Sequence, residues 1–226
     1  MSSPIYNPNR PDWADMSDYV LHFSRGSQGT EAYSNIMAIL SWGRIEARNP
    51  FGVGRARAPA GANHNMVCLS EVPFGQLGRL AARRRSNFAV AFRKSFLIEQ
   101  GGNPILYGYA AGPLAAPINR LMVQGQGDPT HPIWQIVPFI DAPGAGGSYF
   151  FEWEREWRKV GHLSFRPEDV AFLVIPEDSH DAARAFFLDA EEDQVGPNYR
   201  CPFIDAQWSR ERVTQVLAQS ASVPLP

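Results

Sequence analysis

Cysteine is nearly absent: Cys68 and Cys201 are the only two in 226 residues, far apart and in no Cys-x-x-Cys spacing. That excludes a disulfide framework and a paired-cysteine zinc site. The five histidines, His22, His64, His131, His162 and His180, are equally dispersed and form no His-Glu-x-x-His pair, so no metal is expected. Excess charge of one sign is missing too. Lys plus Arg number 21 against 23 Asp plus Glu, a formal net charge of −2. A general polyanion binder would be basic, so any nucleic-acid contact must come from a local patch. No apolar run reaches the length of a bilayer span. Residues 1–13 are polar and proline-rich, without the apolar stretch of a secretory leader. A soluble, cytoplasmic protein with no membrane partner is the expectation. A nucleotide loop is also lacking. Ser24-Arg25-Gly26-Ser27-Gln28-Gly29 has the glycines but neither GxGxxG nor the Lys-Ser/Thr of a Walker loop.

What is present suits a folded domain. Hydrophobic residues make up 44% and aromatics 12%, enough to build a sizeable core, and one domain over residues 1–226 is expected. Glycine and proline, 19 each, are scattered throughout and predict many short elements joined by ordered turns. Residues 19–24 read as a first strand stopped by Gly26. A helix follows, with Thr30 as N-cap, Tyr33, Ile36, Met37 and Leu40 on one face, and Gly43 just past its end. A loop over 48–65 leads to a strand over 66–72, ended by Pro73. Residues 74–85 read as a short helix with a basic side. Strands are expected at 88–92, 104–109, 133–138, 149–160 and 170–175, the last one buried. Helices from about Ser179 and Ser209, both candidate N-caps, complete the chain. The order favours an α+β fold, with mixed, mainly antiparallel sheets and flanking helices, over repeated βαβ units.

Four groups of residues carry candidate chemistry. His22 and Ser24 share a strand face, with Arg25 just beyond; together they can hold a hydroxyl, an amide and a phosphate, although a buried histidine bonded to a carbonyl, beside a solvated Arg25, is the simpler account of the spacing. In Cys68-Leu69-Ser70-Glu71-Val72-Pro73, Ser70 lies outside any GxSxG elbow. Cys68 reads as a small core residue, and Ser70 with Glu71 as a site-facing pair or a strand-end cap. Glu152, Glu154 and Glu156 would lie on one face of an extended strand, with Trp153, Arg155 and Trp157 on the other. Three like charges so placed repel one another. They point to a working carboxylate among aromatics, against a solvated face paired with Arg155, Arg158 and Lys159. Arg79, Arg83, Arg84 and Arg85 give a basic helix face, able to touch phosphates or simply solvated. His180-Asp181 at a helix start reads as capping.

Leu21-His22-Phe23-Ser24, Ile39-Leu40-Ser41-Trp42-Gly43, Val67-Cys68-Leu69-Ser70-Glu71-Val72-Pro73 and Phe151-Glu152-Trp153-Glu154-Arg155-Glu156-Trp157-Arg158 together resemble the AbiGi family of abortive phage resistance, often labelled a putative antitoxin. Asn103-Pro104-Ile105-Leu106-Tyr107 fits the same pattern. The resemblance covers roughly residues 19–175 and leaves residues 177–226 as a C-terminal helical extension. Its layout is similar to a compact ADP-ribosyltransferase fold. That likeness implies NAD as substrate, held by His22 with Ser24 and Arg25, and with Ser70 and Tyr107. Glu156 would be the catalytic carboxylate and Glu154 its partner two residues earlier. Cys68-Leu69-Ser70 stands where such enzymes carry Ser-Thr-Ser. The implied acceptor is a nucleic acid or a protein. The alternative is a non-catalytic antitoxin of a two-component defence system, whose carboxylates face a partner toxin. A metal-dependent hydrolase is a distant third.

Overall fold

The computed structural model describes residues 16–25, 29–71, 73–144 and 152–221. Residues 1–13, the Gly26 stop, the middle of the Ser24–Gly29 loop, Val72 and residues 149–151 lie outside them. In chain order the strands are Tyr19–Phe23 (β1), Arg44–Ile45 (β2), Asn49–Pro50 (β3), Asn65–Ser70 (β4), Ala89–Arg93 (β5), Asn103–Pro104 (β6), Leu106–Tyr107 (β7), Ile140–Asp141 (β8), Glu156–Val160 (β9), Leu163–Ser164 (β10), Val170–Val174 (β11) and Phe203–Ile204 (β12). The helices are Gly29–Trp42 (α1), Leu77–Arg84 (α2), Lys94–Glu99 (α3), Ala115–Gln124 (α4), Ile133–Ile136 (α5), His180–Glu192 (α6) and Arg210–Ala221 (α7). The fold is α+β with mainly antiparallel strand pairing, as expected. The chain divides into two compact units, one from Met1–Arg44, Glu71–Phe96 and Ser164–Pro226, the other from Ile45–Ser70 and Leu97–Leu163.

In the first unit the strand order is β12-β11-β5-β1. β1 and β5 are antiparallel, with His22 opposite Val90. β5 and β11 are antiparallel with an irregularity between Val170 and Phe172, and β12 joins β11 in parallel. The central strands are apolar on both faces: Val90, Ala91, Phe92, Phe172 and Val174 are all buried. α1 buries Ala32, Ile36 and Leu40. Thr30 falls inside this helix instead of capping it.

The C-terminus of α1 is closed by two devices. Gly43 adopts φ +57°, the left-handed conformation that ends helices, and its carbonyl accepts the Phe165 N–H at 2.8 Å. The buried Tyr199 hydroxyl donates to the Leu40 carbonyl at 2.6 Å, satisfying one of the acceptors a helix leaves open at its last turn. Burial pushes the Tyr199 phenol well above its ordinary range, and the nearby Cys201 adds to this. A Cβ at position 43 would sit 2.6 Å from the Phe165 carbonyl oxygen. Gly43→Ala is therefore expected to cost about 1–3 kcal/mol, read as a lowered urea midpoint without loss of far-UV helix signal.

α2 buries Leu77, Leu80 and Ala81 and leaves Arg79, Arg83 and Arg85 exposed; Arg85 ends it at φ +53°. Of the two expected serine caps, Ser209 accepts the Arg212 N–H at 3.3 Å. Ser179 occupies the N-cap position of α6 but its hydroxyl donates to Asp178 at 3.0 Å. His180 instead meets the Ile175 carbonyl through Nε2 at 2.9 Å.

In the second unit β4 pairs with β3 and β9, and β6 pairs with the other edge of β9, all antiparallel. β7 and β8 form a separate parallel pair. Three expected elements differ here. Residues 133–138 form α5 and a 3-10 turn, Val137–Phe139, rather than a strand. An apolar run this short does not distinguish the two. Pro132 already lies in the helical region, Trp134 Nε1 donates to the Gly125 carbonyl at 3.0 Å, and Ile133, Trp134 and Val137 pack with Met122 of α4 as a core. The strand expected over 104–109 is broken into β6 and β7. The strand expected over 149–160 begins only at Glu156. α4 carries no strong signal of its own; Pro117 in its first turn costs no helical hydrogen bond.

His64 packs beside Trp134 and is 4% exposed. Its Nε2 meets the Trp134 carbonyl at 3.1 Å, and among the described residues its Nδ1 has no hydrogen-bond partner. Burial lowers its pKa below the usual 6.5, against the pull of that carbonyl. The unfolded chain thus binds this proton more readily than the folded one. The contribution is complete above about pH 6.5 and is lost as pH falls through the depressed folded value. Stability of the wild type should fall from about pH 7 to about pH 5, and His64→Gln should flatten that decline in urea titrations.

Candidate functional site

The segment Glu152-Trp153-Glu154-Arg155-Glu156-Trp157-Arg158 does not form one strand. Glu152–Glu154 is a 3-10 turn, closed by the Arg155 N–H donating to the Glu152 carbonyl at 3.1 Å. Arg155 then takes φ +43°, and β9 starts at Glu156. The three carboxylates therefore do not share a strand face. The turn relieves the repulsion that alternation would have imposed and puts each in a different setting. Glu152 accepts the Tyr109 hydroxyl at 2.6 Å. Glu154 is buried, 6% exposed. Glu156 heads the strand.

β9 is held on both edges. Ser70 lies directly opposite Glu156, Leu69 opposite Trp157 and Cys68 opposite Arg158. On the other side Asn103 faces Arg158 and Pro104 faces Trp157. The Glu156 N–H donates to the Tyr107 hydroxyl oxygen at 2.9 Å, and its carbonyl accepts the Ile105 N–H at 3.1 Å. Burial pushes the Tyr107 phenol up to about 12; the Glu156 N–H opposes this, and the charges of Glu156 and Glu154 add to it. Ser70, Tyr107 and Glu156 thus meet at the start of β9, with Glu154 just before it.

Arg158 organises this end of the unit. Its side chain is 1% exposed. Nε donates to Glu156 Oε1 at 2.9 Å and Nη2 to Oε2 at 3.2 Å. Nη1 donates to the Pro138 carbonyl at 2.8 Å, and Nη2 also bonds Asp141. The guanidinium lies 5.6 Å from the Phe51 ring centroid. Burial opposes the charge, but Glu156, by its charge and its hydrogen bonds, together with Cys68 and Asp141 outweighs it, and the Arg158 pKa ends above its ordinary value. Asp141 and Pro138 carry no motif. Their place in this network follows only from the chain path through Val137–Phe139 and β8, so sequence reasoning missed them.

The remaining predicted residues belong to the first unit. His22 is half-buried on β1. Ser24 is 1% exposed, and its hydroxyl donates to the Ala32 carbonyl at 2.8 Å while lying 3.3 Å from Ser86 Oγ. That hydroxyl ties the end of β1 to the first turns of α1. Arg25 is exposed, and its carbonyl accepts the Asn35 side chain. Glu71, expected to face a site with Ser70 or to cap a strand, is buried in an ion pair with Lys94 at 2.6 Å.

Among the described residues no three His, Cys, Asp or Glu side chains gather as a metal ion would need. No helix there is long and apolar enough to cross a membrane. The chain matches no known family model, no curated protein and no solved structure.

Proposed function

We propose that this chain is an ADP-ribosyltransferase-like protein of phage defence, cytoplasmic, which cleaves NAD and transfers ADP-ribose to a nucleic acid or a protein. The observation that carries the reading is the meeting of Ser70, Tyr107 and Glu156 at the head of β9. They stand far apart in sequence, and strand pairing and one hydrogen bond bring them together. A carboxylate fixed at both ends, by the Tyr107 hydroxyl at its backbone and by Arg158 at its oxygens, needs little reorganisation to face a developing positive charge. In this reading the bond between nicotinamide and ribose breaks, Glu156 orients the ribose and stabilises its cationic character, and the acceptor attacks the anomeric carbon. Ser70 and Tyr107 offer hydroxyls to the sugar, and Glu154 supports Glu156. The resemblance also assigns NAD contacts to His22 and Arg25, which belong to the first unit. Ser24 would act by fixing the end of β1, since its hydroxyl is engaged by backbone.

One observation favours a second reading. Both oxygens of Glu156 already accept hydrogen bonds from Arg158, as an ion-pair network serving a non-catalytic antitoxin module would have them.

Incubation of the wild type and Glu156→Gln with adenine-labelled NAD and cell lysate tests the choice. The transferase reading expects turnover and transferred label from the wild type, reduced about 10²–10³-fold in the variant. Absence of turnover, transfer and NAD binding would overturn it, and a toxin co-purifying with the chain would support the second reading.

A further inference from the structure

Within the first unit, α1 and α6 stand either side of a hollow floored by β5 and β11, with a volume of about 340 Å³. None of the side chains lining it is charged. Three small residues, Ala89 on the floor and Ala182 and Ala183 on α6, create the space, and Phe187 walls it. At the mouth stand Tyr33 and Phe186, which are 49% and 48% exposed despite their size. Polar groups nearby are few, and the Tyr33 hydroxyl stands at the mouth. Ala89 and Val174 face each other across the antiparallel β5–β11 pair, and the Ser179 hydroxyl donates to Asp178.

Interiors normally pack to crystal-like density. A space of this size lies at the lower end of the ligand-pocket range of about 300–1,000 Å³. Lined almost wholly by apolar side chains, it holds water poorly and takes apolar guests instead. We infer that the hollow between α1 and α6 is a binding site for a small neutral apolar molecule, an aliphatic chain of about ten carbons or a fused aromatic of similar bulk. The absence of charge excludes a nucleotide, so this site is independent of the NAD reading. Leu40 links it to the frame of the unit: the residue lines the hollow, and its carbonyl is the acceptor for Tyr199.

The test uses the full chain and the neutral dye N-phenyl-1-naphthylamine, with 1-decanol as competitor. The expected result is saturable emission at one dye per chain, displaced by decanol and unaffected by NAD. Decanol should also raise the melting temperature of the wild type, as a ligand of the folded state must. Ala183→Phe fills the space and should weaken dye binding about tenfold or more. Ala182→Leu fills it from the next position and gives the same reading if Ala183→Phe does not fold. Non-saturable emission overturns the inference. So does binding unchanged in both folded variants. So does sedimentation at twice the chain mass with the dye excluded, because a second copy would then cover the hollow.

Discussion

Arg158→Met is expected to lower the free energy of unfolding by about 3–5 kcal/mol, the usual effect of removing one partner of a buried ion pair. The side chain is 1% exposed and serves Glu156, Asp141 and the Pro138 carbonyl at once. Methionine matches its bulk but leaves a half-buried carboxylate and a buried carbonyl without their donor. Arg158→Lys should recover little, because an ammonium cannot reproduce the fork that reaches both Glu156 oxygens while Nη1 reaches Pro138. Urea denaturation of the three proteins at neutral pH gives the comparison. Equal midpoints for wild type and Arg158→Met would refute the central place given to this residue. If the transferase reading holds, Arg158→Met also loses NAD turnover, since Glu156 is no longer oriented.

Lys94→Met should be similarly costly, about 3–5 kcal/mol. Lys94 Nζ lies 2.6 Å from Glu71 Oε1, and the two side chains are 3% and 6% exposed. The Ser17 N–H reaches the same carboxylate oxygen at 3.5 Å. Asp18 stands close by, its carboxyl pushed up by burial against the pull of Lys94 and Arg93. Removing the ammonium therefore strands one buried carboxylate and withdraws support from a second. The double variant Glu71→Leu, Lys94→Met should recover most of the loss, because apolar groups of similar volume avoid the desolvation that charges suffer. A double-mutant cycle measures this directly. If the double variant is no more stable than Lys94→Met, the stranded charge is not the cause.

The elements legible in the sequence were those where periodicity and a stop signal agree. β1, α1 with Gly43, α2, β5 and β11 fall where the apolar spacing puts them, and Gly43 takes the left-handed conformation its position requires. The misreadings have local causes. Residues 133–138 are mostly apolar and include the β-branched Ile133, Ile136 and Val137, as strands do, but Ile133, Trp134 and Val137 pack with Met122 of α4 from a helical turn. Glu152-Trp153-Glu154-Arg155-Glu156 alternates like a strand, but Arg155 at φ +43° breaks the alternation, and nothing in an arginine announces a left-handed residue. In the site, Ser70 and Glu156 were visible in the residues themselves, and Tyr107 only through the family resemblance. That the Tyr107 hydroxyl would accept the Glu156 N–H was not, since it depends on the break between β6 and β7. Glu71 was read with Ser70, yet it lies just past the end of β4 and pairs with Lys94. Long-range partners such as Asp141 for Arg158 and Tyr199 for Leu40 depend on chain path, which local spacing does not encode.

The division of the chain into two units bears on the order in which it is made. All of Ile45–Ser70 and Leu97–Leu163 is synthesised before β11, so the unit that holds β9 and Arg158 is complete in sequence first and can close first. The other unit cannot. β1 and β5 can pair early, but β5 waits for its second neighbour, β11, and α1 waits for Tyr199 to reach the Leu40 carbonyl. Until translation passes these residues, one edge of β5 and the apolar face of α1 stay uncovered, a state in which unpaired strands invite misassembly.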